Sequence, residues 1–275
     1  MKEIAKLHIS TCPQLTYESK HCRSRKSKNK KALRVGFVSS FFRDHTIGKF
    51  TRGTIKLLTR EQFEVFVFRL PRRSDAISRF IDDAADNVVL LTGKLKEDQA
   101  RIENAEMDIL FYPDIGMSPL TYFLAFSRLA PVQVTTWGHP DTTGIPNIDY
   151  FLSSKDLEVD GLSEHYSERV IKLDSTTPYY FRPKPQKEKF TLNDYDLPTE
   201  NRLYLCPQTL VKFHPSFDNL LGEILQRDPC GRIVLIDDDK GGYLKQGLQE
   251  RFSHSFPENQ KNVIFLSRMP HSKFL

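Results

Sequence analysis

The stretch "LRVGFVSSFFRDHTIGKFTRGTIKLLTREQFEVFVFRL" (residues 33–70) decides the fold. It contains two short apolar runs, LRVGFVSS (33–40) and FEVFVFRL (63–70), and runs of this kind are typical of buried parallel strands. Between them, FFRDHTIGKF predicts a loop and TRGTIKLLT predicts a helix. A strand, a helix and a second such strand form the crossover unit of a parallel sheet.

The same alternation of strand and helix continues toward the C-terminus. It includes a helix in SDAISRFIDDAA that Ser74 or Asp75 would cap. Residues 176–200 are rich in proline and charge, and from 201 the alternation restarts. We therefore predict an α/β protein with two Rossmann-like lobes, 32–175 and 201–275, joined by 176–200. The second lobe shows three strand patterns, so we expect it to be incomplete.

Residues 1–31 are predicted to form a basic linker. The run Lys20–Lys31 holds seven Lys or Arg residues and no acid, which exceeds the formal net charge of +5. Such runs are usually solvated, although a nucleic-acid-binding arm is an alternative. No aromatic residue interleaves the run to stack on bases, so nucleic acid is not the favoured partner.

Composition also limits where the protein acts. No apolar run approaches the roughly 18–20 residues that span a bilayer, and the N-terminus has no apolar core of a signal peptide. The four cysteines form no C-x-x-C pair, so a zinc knuckle or a dithiol redox motif is not expected. We predict a cytoplasmic protein without membrane contact.

Four loops should carry the chemistry, because ligands of open α/β sheets bind outside the carboxyl ends of the strands. Three of these loops belong to the first lobe: SSFFRDHTIGK, YPDIGM and GHPDTTG. In the first, His45 could serve as a general base or a hydrogen-bond donor, or simply as a helix cap. In the other two, Asp114, His139 and Thr142 are candidate contacts to a ligand. A rigid connection without a ligand is the alternative for GHPDTTG.

The fourth loop, PQTLVKFHPS, opens the second lobe. Lys212 precedes a helix whose first turn would hold Pro215. Free N–H groups at a helix N-terminus attract phosphate, and a lysine beside them would neutralise a diphosphate. A solvated lysine ahead of an ordinary helix is the alternative. Neither a P-loop nor a G-x-G-x-x-G fingerprint is present.

Several of these motifs together resemble glycosyltransferase family 41. That family includes O-linked N-acetylglucosamine transferases, SPINDLY-type transferases and bacterial N-glucosyltransferases. LRVGFVSSFFRDHTIGK is similar to the family's opening strand and its histidine loop. APVQVTTWGHPDTTGIPNIDY is similar to its "APIQ…GYPGTSG…DY" segment, with His139 where the animal enzyme has Tyr. EHYSERVIKL and CPQTLVKFHPSFDNLLGEILQRDP follow in the family's order.

The resemblance implies a GT-B fold and an inverting transfer, without a metal or cofactor, from a nucleotide sugar to a protein side chain. His45 then matches the active-site histidine, and Gly138 matches the glycine that approaches the donor sugar. Lys212 matches the lysine on the diphosphate, while Gln208 and Thr209 lie where the family has an Asn-Gln pair. The candidate contacts to the sugar or the acceptor are then His139, Thr142 and Asp114.

We therefore expect a protein O-glycosyltransferase that uses UDP-N-acetylglucosamine, or another UDP- or GDP-sugar, on Ser or Thr of an acceptor protein or peptide. Asn is the less favoured acceptor. Because the family's Gly/Thr-rich segment of the second lobe is missing, we expect a truncated form. A non-catalytic module that binds a nucleotide or a partner protein is the alternative.

Overall fold

The computed structural model of the protein describes residues 1–23, 32–159, 161–182, 190–237 and 241–269. The chain divides into two compact units, Met1–Arg182 and Pro183–Leu275. Each unit contains one sheet in which every strand pair is parallel. The α/β class predicted from the alternating pattern is therefore confirmed.

The first unit holds a seven-stranded sheet with the order β3-β2-β1-β4-β5-β6-β7. Its strands are β1 (Leu33–Ser39), β2 (Phe63–Arg69), β3 (Asn87–Leu90), β4 (Ile109–Tyr112), β5 (Val132–Thr135), β6 (Tyr150–Ser154) and β7 (Arg169–Leu173). Its helices are α1 (Lys2–Thr11), α2 (Lys20–Arg23), α3 (Thr46–Leu57), α4 (Ala76–Ala84), α5 (Leu95–Ala105) and α6 (Pro119–Ala125). No helix in the described ranges is long and apolar enough to cross a membrane.

The sheet separates two apolar clusters, because successive residues of a strand point to opposite faces. In β1, Val35 and Phe37 join the cluster that includes Ile47 and Ile55 of α3, whereas Val38 joins the other cluster. That other cluster also contains residues of α1, α5 and α6, among them Ala5, Ile102 and Leu124. Burial on both faces explains why β1 reads as a continuous apolar run.

The N-terminal segment is folded, which corrects the predicted linker over residues 1–31. Helix α1 buries Ala5, and the 3-10 helix Pro13–Thr16 buries Leu15. Glu18 then forms a β-bridge with Arg128. The linker interpretation gave weight to the charge of Lys20–Lys31 and missed the apolar side chains of the preceding helix. Residues 24–31 of the basic run lie outside the described part of the chain.

The first unit extends to Arg182, past the predicted boundary at residue 175. Thr136, directly after β5, donates a hydrogen bond to the Thr177 hydroxyl (2.8 Å), and the Tyr179 N–H donates to Phe50 O of α3 (3.2 Å). Arg52 of α3 lies over the ring of Phe181, 5.1 Å from its centroid. The aromatic residues after β7 therefore pack on α3 and belong to the first unit.

The second unit holds a three-stranded sheet with the order β10-β9-β8. Its strands are β8 (Arg202–Cys206), β9 (Gly231–Asp237) and β10 (Val263–Ser267), and its helices are α7 (Ser216–Arg227) and α8 (Tyr243–Ser255). Both helices pack on one face of the sheet, where Leu221, Leu225, Phe252 and Ile233 form the core. On the other face, Leu203, Leu205, Val234 and Ile236 line an apolar groove.

Candidate functional site

The sheet of the first unit has a topological switch point between β1 and β4. The chain runs outward from β1 to β2 and β3, then returns to β4 on the opposite side of β1. Ligands of such sheets bind in the crevice that this divergence opens at the carboxyl ends of the strands. The loops after β1, β4 and β5 meet at this edge, and they hold the residues that were selected from the sequence in the first unit.

Asp114 lies beneath these loops and joins β1 to β4. Its side chain is fully buried. Ser39 Oγ donates to its Oδ2 (2.9 Å), and so does the Ser40 N–H (3.1 Å). Burial raises the pKa of the Asp114 carboxyl to about 6, although the bonds from Ser39 and Ser40 act in the opposite direction. Within the described residues Asp114 Oδ1 accepts no hydrogen bond. This buried carboxyl supports the loops from below, which does not fit the predicted contact with a sugar or an acceptor.

Gly138 and His139 pack directly on the loop after β4. A Cβ on Gly138 would lie 1.7 Å from Pro113 O, and a Cβ on Gly116 would lie 3.0 Å from the His139 ring. The first of these distances is far below any van der Waals contact. In this structure the missing side chain of Gly138 is therefore required by the neighbouring loop. His139 is exposed, and its Nδ1 lies 3.5 Å from an oxygen of Asp141.

Thr142 and Thr143 are held by the buried carboxylate of Glu168. Thr142 Oγ1 donates to Glu168 Oε2 (2.7 Å), the Thr143 N–H donates to Oε1 (2.8 Å), and the Thr143 hydroxyl also donates to Oε1. Glu168 is only 5% exposed. The Ser167 N–H completes the network by donating to Thr142 Oγ1 (2.8 Å). The hydroxyl of Thr142 is therefore committed to fixing the loop.

His45 caps helix α3, which begins at Thr46. From the sequence this helix was predicted to begin at Thr51, because the polar residues DHT are typical of a loop. The Ile47 N–H donates to His45 Nδ1 (3.2 Å), so the ring provides the acceptor that a helix N-terminus needs. The His45 ring also stacks on Phe41, with 4.5 Å between their centroids.

The cap fixes the tautomer of the neutral His45 ring. Because Nδ1 accepts a hydrogen bond, a neutral ring must carry its proton on Nε2. Burial, Arg43 and Lys49 lower the pKa of His45, so the neutral ring is favoured. With this tautomer Nε2 is a donor. The geometry therefore favours the hydrogen-bond donor over the general base among the roles predicted for His45.

Replacing His45 with asparagine should reduce the loss of stability on acidification. When folding lowers the pKa of a histidine, that histidine stabilises the fold at pH values above its unfolded pKa. This contribution is lost as the pH falls below about 6.5, the ordinary pKa of the ring. Asparagine also caps helices and carries no charge. We expect His45→Ala to lose about 1 kcal/mol at pH 7.5. Urea unfolding followed by the fluorescence of Trp137, between pH 7.5 and 5, measures both effects. An identical pH dependence in wild type and His45→Asn would contradict the prediction.

In the second unit, the predicted donor-binding residues lie in one loop between β8 and α7. Gln208 Oε1 accepts from the Thr209 N–H (3.0 Å), and Thr209 precedes the 3-10 helix Leu210–Lys212. Lys212 is exposed, and its ammonium has no ion-pair partner in the described part of the unit. A free ammonium group at this position is available for an anion.

The N-terminus of α7 is less free than the sequence implied. The Ser216 N–H donates to His214 Nδ1 (3.2 Å), and the Phe217 N–H donates to His214 O (2.9 Å). His214 Nδ1 also lies 2.8 Å from Ser216 Oγ. When Nδ1 accepts from the Ser216 N–H, a neutral His214 ring carries its proton on Nε2. His214 is exposed. It thus adds a second donor next to Lys212, and an anion would be bound mainly by side chains.

The structure brings together most residues predicted in each unit, and it adds others. Asp114 lies in the loop after β4, which adjoins the loop of Gly138 and His139 after β5. Thr142 lies in that second loop too, but its hydroxyl binds Glu168. Sequence reasoning missed Glu168 and His214, although EHYSERV and KFHPS were both quoted as motifs. Within the described ranges no three His, Cys, Asp or Glu side chains are grouped so that they could hold a metal ion.

Comparison with known proteins places these features in one family. The sequence profile of glycosyl transferase family 41 matches residues 2–181, which is nearly the whole first unit. An Arabidopsis thaliana relative, a probable UDP-N-acetylglucosamine–peptide N-acetylglucosaminyltransferase, is 26% identical over 225 residues. That alignment covers 78% of this chain and 23% of the relative. A UDP-glucose:protein N-β-glucosyltransferase from Actinobacillus pleuropneumoniae is 28% identical, and that alignment covers 73% of this chain and 32% of the relative.

Solved structures show the same fold. A mutant O-GlcNAc transferase from Thermobaculum terrenum superposes with a TM-score of 0.76 at 24% identity, covering 89% of this chain and 46% of the other. A glycosyltransferase from Rickettsia africae gives a TM-score of 0.51 at 13% identity, covering 87% of this chain and 69% of the other. The predicted GT-B type of fold is confirmed. The chain spans about a quarter to a third of the length of the two sequence relatives.

Proposed function

The chain belongs to glycosyl transferase family 41, and we propose that it transfers a sugar from a nucleotide donor to a side chain of an acceptor protein. The observation that carries the proposal is the family match over residues 2–181, the unit that holds His45 and Gly138. Both relatives named above are described as using a UDP-sugar on a protein or peptide. For this chain we propose N-acetylglucosamine as the sugar and Ser or Thr as the acceptor.

The proposed reaction assigns separate roles to the two units. The acceptor hydroxyl oxygen attacks the anomeric carbon while the bond from that carbon to the diphosphate oxygen breaks, which inverts the configuration. The hydroxyl proton passes to a phosphate oxygen of the donor, because the tautomer of His45 leaves Nε2 as a donor. His45 would orient a sugar or acceptor oxygen by donating from Nε2.

Lys212 would stabilise the leaving diphosphate. The developing negative charge needs fixed positive charge and N–H donors around it. The unpaired ammonium of Lys212 and the His214 ring, both just before α7, supply such groups from side chains of this chain. In this proposal the reaction needs no cofactor.

Replacing Lys212 with alanine should weaken the binding of UDP roughly tenfold or more, the effect of losing one charged hydrogen bond. Calorimetric titration of the purified chain with UDP and with GDP measures this effect and also tests the nucleotide. Lys261→Ala is a matched control, because Lys261 is another exposed lysine of the second unit and lies in a different 3-10 helix, Gln260–Asn262. We expect the control to bind UDP like the wild type.

Three results would change the proposal. If a folded wild-type chain binds neither nucleotide, the diphosphate site is wrong. If it binds UDP but transfers no sugar to acceptor proteins, the alternative of a non-catalytic nucleotide-binding module is favoured. Transfer from UDP-glucose in place of UDP-N-acetylglucosamine would support the glycosyltransferase and correct the sugar.

A further inference from the structure

One arginine of α8 holds the loop that carries Lys212. Arg251 Nε donates to Asp218 Oδ2 (2.6 Å), and Nη2 donates to Asp218 Oδ1 (2.8 Å). The same Nη2 donates to the carbonyl oxygen of Phe213 (3.0 Å). Asp218 lies in the first turn of α7, and Phe213 directly follows Lys212. A single guanidinium therefore ties the start of α7 to the residue after Lys212.

The burial of this contact makes the arginine specific. The Asp218 side chain is 1% exposed and that of Arg251 is 30% exposed. A buried carboxylate without its partner is strongly unfavourable, so the pair is effectively obligatory once Asp218 is in place. The planar guanidinium can bind both carboxylate oxygens and a third acceptor at once, whereas the ammonium of a lysine is a point charge.

The rest of the loop is anchored on the core, which leaves Lys212 exposed between two fixed points. Leu210 is 2% exposed and Phe213 is 6% exposed, and both belong to the apolar cluster of the unit. The Phe213 N–H donates to Leu210 O (3.2 Å), which closes a tight turn. Arg251 binds the carbonyl oxygen of Phe213, the last residue of this turn.

From this geometry we propose that Arg251 is a positioning residue for the diphosphate. By holding Phe213 O and Asp218 together, it sets the backbone from which Lys212 and His214 project. The inference rests on the proposed function, since it assigns a role within that diphosphate site. It adds a residue that would touch no part of the donor and would act through Lys212.

Hydrogen exchange tests the positioning independently of any ligand. In Arg251→Gln we expect the amides of residues 210–214, 216 and 217 to exchange roughly tenfold faster, since a charged hydrogen bond to the loop is lost. Amides of β9 should change much less. Arg202→Gln is the matched control: Arg202 also binds an aspartate, Asp228, through two hydrogen bonds in the same unit, but it lies at the start of β8. The control should leave the exchange of residues 210–217 unchanged.

UDP titration then separates the two proposals. We expect Arg251→Lys, which keeps the charge but not the three-way contact, to bind UDP several-fold more weakly than wild type. If wild type binds UDP and both Arg251 variants bind it as tightly as wild type does, the positioning role is wrong and the diphosphate site stands. If wild type binds no UDP, both are wrong. If Arg251→Gln accelerates exchange equally throughout the unit, Arg251 is merely structural.

Discussion

Replacing Gly138 with alanine is expected to destabilise the first unit by about 3 kcal/mol, the upper end of the usual effect of overpacking. The new Cβ would lie 1.7 Å from Pro113 O and 3.0 Å from Asp114 Cα. Both are backbone atoms, so no side chain can rotate away to relieve the clash. The Gly138 N–H also donates to Thr136 O (2.8 Å), which limits how far the loop after β5 can shift.

The single tryptophan of the chain, Trp137, makes this measurement specific to the first unit. Its indole N–H donates to Ser153 Oγ of β6 (3.1 Å), and this contact is lost on unfolding. The midpoint of urea unfolding, followed by Trp137 fluorescence, should fall sharply in Gly138→Ala. The control is Asp141→Ala, an exposed change in the same loop, which should stay within about 0.5 kcal/mol of wild type. An unchanged midpoint in Gly138→Ala would show that the two loops do not pack as described.

This steric requirement changes how the glycine is interpreted. From the sequence, Gly138 was predicted to let the backbone approach a donor sugar. The structure shows a second and sufficient reason for a glycine, since the loop after β4 already occupies the space of a side chain. Contact with a donor therefore remains a prediction for Gly138, and loss of activity in Gly138→Ala would not test it unless folding is measured as well.

The fold could be predicted from the sequence wherever one signal dominated. LRVGFVSS and FEVFVFRL are apolar on both faces, and they form the paired strands β1 and β2, with Val35 opposite Val65. Asp75 was one of two predicted caps of α4, and its carboxylate accepts from the N–H groups of Ile77 and Ser78. In these segments local preference and tertiary packing favour the same structure.

Other features could not be predicted, because they depend on contacts between distant residues. The cap of α3 is a histidine ring, which no simple capping pattern includes, so the helix was predicted to begin five residues late. Residues Met1–Arg23 read as a linker until the sheet supplies the surface on which Ala5 and Leu15 are buried. Glu168 and Thr142 are far apart in the sequence, and only the parallel β6–β7 pair brings them together.

Replacing Asp114 with asparagine should stabilise the first unit at pH 7.5, by about 2 kcal/mol. The folded pKa of this carboxyl, about 6, lies above its ordinary value of 3.8, so the contribution of Asp114 to stability is fully present below pH 3.8 and is lost as the pH rises through 6. The full cost of ionising it in the fold is about 3 kcal/mol. Asparagine keeps an acceptor for Ser39 and Ser40, and it places an NH₂ where Oδ1 has no partner in the described structure.

The difference in unfolding free energy between Asp114→Asn and wild type should therefore grow from near zero at pH 4 to its full value above pH 7. Asp98→Asn is the control with the opposite sign. Both oxygens of this buried carboxylate accept backbone N–H groups, from Thr92 (2.6 Å) and Gly93 (2.9 Å), so an amide would face a donor with a donor. We expect Asp98→Asn to lose about 1–2 kcal/mol at pH 7.5. If Asp114→Asn is also less stable at pH 7.5, groups other than the observed contacts stabilise the negative charge of the Asp114 carboxylate. Its position at the switch point would then indicate a bound cation or donor instead of a purely structural link.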